Sequence, residues 1–226
     1  MHMKLAGNYL HEHARPDVRR DVKASRGVGS RFAGAEGLRV AFDSRPATAV
    51  RGEGRYTRCI LAALRITAPD GVEIVETHRP SATARGRRAH LFHSPWIEGA
   101  MLRSPCPMVV TVHDVDALTR LSERLRCGGV HSRLRHLALT RATHVIVPNE
   151  AIAEDAVTQL GLDRERVIVI PEGPDPGAQC ATPGVPAWSW EDVARATWQV
   201  YERALSEPAR SFIRPRPLPV RSRAAQ

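Results

Sequence analysis

Aromatic residues make up only 5% of this 226-residue chain, and no RNA- or DNA-binding motif accompanies them. A basic sequence pI of 10.4 would otherwise suggest nucleic acid as a partner. Cysteine is scarce too. Cys59, Cys106, Cys127 and Cys180 form no CxxC and fall at no metal-ligand spacing, which points to free thiols in a reducing compartment. The HxH of His11 and His13 has no further ligand near it in sequence, so no metal site is expected there. No apolar run approaches the roughly 20 residues that span a bilayer, and the N-terminal stretch lacks an apolar signal core. A cytoplasmic location follows as the expectation, with peripheral contact at the inner face of a membrane left open.

The chain is 42% hydrophobic and 25% charged, which suits a globular core. Its net charge of +9 is unevenly placed. Residues 1–37 carry +3 and residues 207–226 carry +4, leaving +2 for the body. Both ends read as solvated basic segments, a mobile leader (1–37) and a disordered tail (207–226). If those segments did bind nucleic acid, the affinity would fall steeply with salt.

Between them, short apolar runs alternate with helical patterns. LRVAFD (38–43), VEIVETH (72–78), AHLFHSP (89–95), PMVVTVHD (107–114), HVIVP (144–148) and RVIVIP (166–171) read as strands. RYTRCILAALRIT (55–67), residues 131–142 and NEAIAEDAVTQLG (149–161) read as helices. Strands that are apolar throughout and alternate with helices define a parallel sheet covered on both faces. The expected fold is α/β, one doubly wound Rossmann-like sheet over 38–173. A Pro/Gly-rich linker (174–187) follows, then a helix (188–206) that starts at a capping-box-like Ser189 and Asp192. Trp190, Val193, Thr197, Val200, Tyr201 and Ala204 form its largely apolar stripe, so it is expected to pack on the domain.

In an open α/β sheet, ligands bind beyond the carboxyl ends of the strands. Four strand ends carry polar punctuation. The first leads into RGEGRY (51–56), where Gly52 and Gly54 precede a helix whose free amides favour an anion. The same glycines also suit a simple turn. The third strand ends in His93-Ser94-Pro95 and the fourth in His113-Asp114. A strand-end imidazole either meets a substrate or caps its own strand. Two of them beside a glycine loop favour a cleft. Asn149 and Glu150 read as an N-cap and a dipole-matched first turn. Arg120, Arg124, Arg126, Arg133, Arg135 and Arg141 suit a phosphorylated acceptor or an anionic membrane surface, and equally a solvated helix face.

These residues together resemble the acceptor half of family-4 retaining glycosyltransferases of the GT-B fold, in their mannosyltransferase-like branch. The pattern is carried by AFDSRPATAVRGEGRYTRCILAAL, LFHSPW (91–96), VVTVHD (109–114), RATHVIVPNEAIAEDAV (141–157) and VIVIPEGPD (167–175), in that order. AWSWEDVARATWQVYERAL (187–205) resembles the helix that closes such a fold onto its N-terminal domain. The resemblance implies that Gly52 and Gly54 approach a donor diphosphate and sugar, and that His113 sits beside the transferred sugar. His93 and Asp114 become candidate substrate contacts, while Arg55 and Tyr56 are expected to be structural. It implies a nucleotide sugar and a glycan or lipid-linked acceptor as partners, with no metal or other cofactor.

One departure from the family pattern is large. A βαβ unit takes about 30 residues, so the linker 174–187 cannot hold the domain that would bind the nucleotide sugar. The resemblance implies a donor site with an Arg/Lys pair and two glutamates that have seven residues between them. Here the only lysines are Lys4 and Lys23, and no two glutamates have that separation. The expectation is a truncated glycosyltransferase-family protein, inactive alone and needing a separate donor-domain protein. The alternative is a non-catalytic remnant or acceptor-binding module.

Overall fold

The computed structural model describes residues 37–49, 52–79, 88–113, 123, 129–174 and 188–207. Within them six strands form one parallel sheet: β1 (Leu38–Phe42), β2 (Val72–Glu76), β3 (Leu91–Ser94), β4 (Met108–Thr111), β5 (His144–Val147) and β6 (Val167–Val169). Their order is β2-β1-β3-β4-β5-β6. Among the described residues four complete α-helices accompany them: α1 (Glu53–Ile66), α2 (Val130–Leu139), α3 (Glu150–Leu160) and α4 (Trp190–Ser206). The doubly wound reading of the apolar runs is therefore correct, with strand order reversing direction at β1 and β3.

The pleat sorts successive side chains onto opposite faces. Val40, Phe42, Leu91, Val109 and Ile146 point to the face covered by α1 and α4. Ala41, Phe92, Met108, Val110, Val145 and Val147 point to the face covered by α3 and the end of α2. Both faces are apolar because both are covered. The outer strand β2 is only half-buried, and it adds charge instead, pairing Glu76 with Arg65 at 2.5 Å and Glu73 with Arg39 at 2.9 Å.

Helix ends follow local rules. Asn149 accepts from the Ile152 amide at 2.9 Å and opens α3, which Gly161 closes at φ 65°. Arg166 gathers the carbonyls beyond the end of α2, bonding Thr143 at 3.2 Å, Thr140 at 3.1 Å, and Ala142. α4 begins at a true capping box between Ser189 and Asp192. It crosses back beside α1 and over β3 and β4. Val193, Thr197, Val200, Tyr201 and Ala204 are buried as the stripe implies. Ala194 and Trp198 join them, and Trp198 reaches α1's end by donating to the Thr67 hydroxyl at 3.1 Å. Trp190 is the exception, half-buried at the rim of the sheet.

Residues 1–36 of the leader, 175–187 and 208–226 of the tail lie outside the described residues, as do Arg120, Arg124 and Arg126. Of the other arginines, Arg133 is exposed, Arg135 pairs with Glu98 at 3.0 Å, and Arg141 holds the Leu102 carbonyl. Among the described residues no helix is long and apolar enough to cross a membrane.

Candidate functional site

β1 and β3 flank the point where strand order reverses, so the loops beyond their carboxyl ends define the crevice where such sheets hold ligands. β4 adds the central side chain. It ends at Thr111, and His113 follows two residues later with a side chain 8% exposed. Its Nε2 donates to the Pro95 carbonyl at 2.7 Å, and its Nδ1 lies 3.1 Å from Glu172 Oε1. The Tyr56 ring meets the imidazole edge-on, with centroids 4.3 Å apart.

Glu172 comes from the turn after β6, and its other oxygen accepts from Arg55 Nη2 at 3.2 Å. The Arg55 guanidinium lies 5.9 Å from the Trp190 ring centroid, and Trp190 meets Tyr56 edge-on at 5.7 Å. The indole N–H donates to the Pro174 carbonyl at 3.1 Å. A Cβ on Gly173 would fall 2.5 Å from the Trp190 ring, so only glycine lets the turn lie flat on the indole. Strand β4, the turn after β6, the start of α1 and the start of α4 thus converge on one imidazole. Burial raises the Tyr56 phenol well above its ordinary pKa, with the Glu172 charge adding to the shift, so Tyr56 is a neutral wall of this site.

The two glycines of the loop divide their roles. Gly52 has φ 59° and nothing near its missing side chain, so it turns the chain into α1 and leaves its surface open. Gly54 is buried, and a Cβ there would lie 2.0 Å from the Ala49 carbonyl oxygen and 2.8 Å from that of Pro46. Close packing of the preceding loop therefore accounts for Gly54. Arg58 holds the same loop through the carbonyls of Ala47 and Ala49.

His93 lies deeper than the strand-end position suggests. It is fully buried inside β3, with Nδ1 2.5 Å from the Tyr201 hydroxyl and Nε2 2.9 Å from the Thr111 hydroxyl. Thr111 also bonds the Tyr56 hydroxyl. Burial pushes the His93 pKa down to about 3, with the nearby His113 contributing and Asp43 opposing. His93 belongs to a polar chain running beneath the site from α4 to α1. Asp114 lies outside the described residues.

Asp43, at the end of β1, is fully buried and closes the base of the crevice. It takes Arg45 Nε at 2.8 Å and Nη2 at 2.6 Å on its two oxygens, and Trp96 Nε1 at 3.0 Å. Burial works to raise its carboxyl pKa, but the Arg45 and Trp96 hydrogen bonds outweigh that and hold it low. This knot ties the loop after β1 to the loop after β3. Among the described residues no three His, Cys, Asp or Glu side chains are grouped to hold a metal ion.

Glu172 and the seat of Trp190 on Gly173 were not legible as site features. A single acid in a Pro/Gly turn reads as an ordinary loop residue, and only the fold brings it to His113. The one usable signal was position, since Glu172 follows the last strand on the ligand-bearing edge.

A one-sheet Rossmann-like domain with a closing helix is consistent with the N-terminal half of a GT-B fold. The family model for Glycosyltransferase Family 4 matches residues 24–177, more than half of the chain, and the chain belongs to that family. No curated protein matches it.

Proposed function

We propose that this chain is the acceptor-side half of a retaining, metal-independent glycosyltransferase of the mannosyltransferase-like branch, and that a separate protein supplies its donor-binding domain. The observation that carries the reading is the way α4 returns. It packs on α1 and on β3 and β4 of the same domain, while only residues 175–189 separate its first residue, Trp190, from the turn at Glu172–Pro174. That length is well short of a single βαβ unit of about 30 residues. Trp190 lies directly against Gly173 and Pro174, so the start of α4 closes onto the end of the sheet.

On this reading Gly52, on the open side of the loop, faces the donor diphosphate, and His113 lies beside the transferred sugar. Asp114 is proposed as a substrate contact from its place in the motif. The donor is a nucleotide sugar and the acceptor a glycan or a lipid-linked sugar. A second reading, an acceptor-binding module without transferase activity, is favoured by the same packed junction, because a closed rim needs no partner to be stable.

The two are separated by a transfer assay. The chain is mixed with candidate single-domain donor-binding proteins, and labelled sugar from GDP- or UDP-sugars is followed into membrane or glycan acceptors. Transfer only in the mixture supports the first reading. Acceptor binding without transfer in every mixture supports the second.

A further inference from the structure

His113 has both ring nitrogens facing acceptors, and the two acceptors differ in how firmly they are held. Pro95 O is a backbone carbonyl that can only accept, so Nε2 carries the hydrogen of that 2.7 Å bond. Its loop is locked, because Trp96 donates to buried Asp43 at 3.0 Å and Ser94 Oγ donates to the Trp96 carbonyl at 2.8 Å. The acceptor at Nδ1 is a side chain. Glu172 is 26% exposed, reaches Nδ1 at 3.1 Å, and keeps a second anchor on Arg55 at 3.2 Å. It can leave the imidazole while keeping its ion pair with Arg55.

Resting on the reading of His113 as the residue beside the sugar, we propose that Glu172 is the positioning residue of this site: it aims the His113 ring, with Nε2 fixed to Pro95 and Nδ1 the nitrogen a sugar hydroxyl meets when Glu172 yields it. Glu172 takes no part in bond making. Arg55 is the holder that retains Glu172 at the rim, and Tyr56, packed edge-on against the imidazole at 4.3 Å, limits its rotation. Charge favours the arrangement, since the Arg55 guanidinium balances the Glu172 carboxylate whether or not it touches the ring.

The test is a long-range ¹H–¹⁵N spectrum of the full chain labelled in histidine, recorded for wild type, E172A, E172Q and R55Q. The expected result is an Nδ1 resonance of His113 that moves in E172A while Nε2 stays in place as a hydrogen-bearing nitrogen. E172Q keeps an acceptor oxygen at the same reach and recovers the ring-current shift that Tyr56 imposes on the imidazole carbon-bound protons. R55Q moves Nδ1 in the same direction as E172A, by less. An Nδ1 resonance unmoved in folded E172A, or an Nε2 resonance that moves as far as Nδ1, would overturn the assignment. Amide fingerprints establish that each variant is folded. Because no sugar enters this experiment, its failure is distinct from a failure of the transferase reading, which calorimetry with nucleotide sugars reports separately.

Discussion

His93 and His113 come from neighbouring strands and meet opposite surroundings. His93 pairs in register with Val109, so His113 stands four residues nearer the mouth of the crevice. α4 covers the first with Tyr201 and leaves the second at the rim between Tyr56 and Glu172. The hydroxyl partners of His93 either donate or accept, so a neutral ring is satisfied in either tautomer. The partners of His113 only accept. Depth along a strand and the placement of one helix decide which histidine is sealed in the core and which lies at the rim.

The contrast breaks most clearly on stability. His93→Ala removes two buried hydrogen bonds and leaves a void under α4, and is expected to cost about 3 kcal/mol or more in urea unfolding. His113→Ala, at the rim, should cost about 1 kcal/mol. Equal losses would erase the distinction between the two positions. Tyr201→Phe keeps the packing but strands the His93 Nδ1, with an expected cost of about 1–3 kcal/mol by the same measurement.

Proton linkage sharpens the comparison further. The His93 pKa is about 3 in the folded protein and near the ordinary 6.5 when unfolded. The unfolded chain therefore binds the extra proton between those values. Stability from this group is complete above pH 6.5 and declines by about 1.4 kcal/mol per pH unit down to about 3. His144, also held low by burial, acts in the same direction. His93→Gln offers both hydroxyls a partner without titrating, so its unfolding free energy should fall less steeply on acidification. An unchanged slope would place the titration elsewhere.

The glycine pair provides the finest contrast. Gly54→Ala drives a methyl into the Ala49 carbonyl and should cost about 1–3 kcal/mol. Gly52→Ala meets no atom and pays only for its positive φ, about 1–2 kcal/mol. Differential scanning calorimetry should rank Gly54→Ala as the more damaging, and the reverse order would place the tight contact at the wrong glycine.

Much of the fold was legible in the sequence because a parallel sheet covered on both faces needs uninterrupted apolar strands, which VVT and HVIV supply. α4 was legible from its stripe and its Ser189 cap. Trp198 was not, because a tryptophan beside Thr197 widens the stripe without altering its period. The site was only partly legible. His113 stood out as a polar residue ending an apolar run, whereas Glu172 needed the sheet order to bring β6 and β4 into reach of one another. The depth of His93 was hidden for a related reason: nothing in HSP (93–95) tells whether a helix from a hundred residues later will lie on it.

Isothermal titration of the isolated chain with GDP- and UDP-sugars tests the proposed division of the enzyme most directly. The expected result is no saturable binding by the chain alone and binding once a donor-domain protein is added. Saturable one-to-one binding by the isolated chain would contradict it.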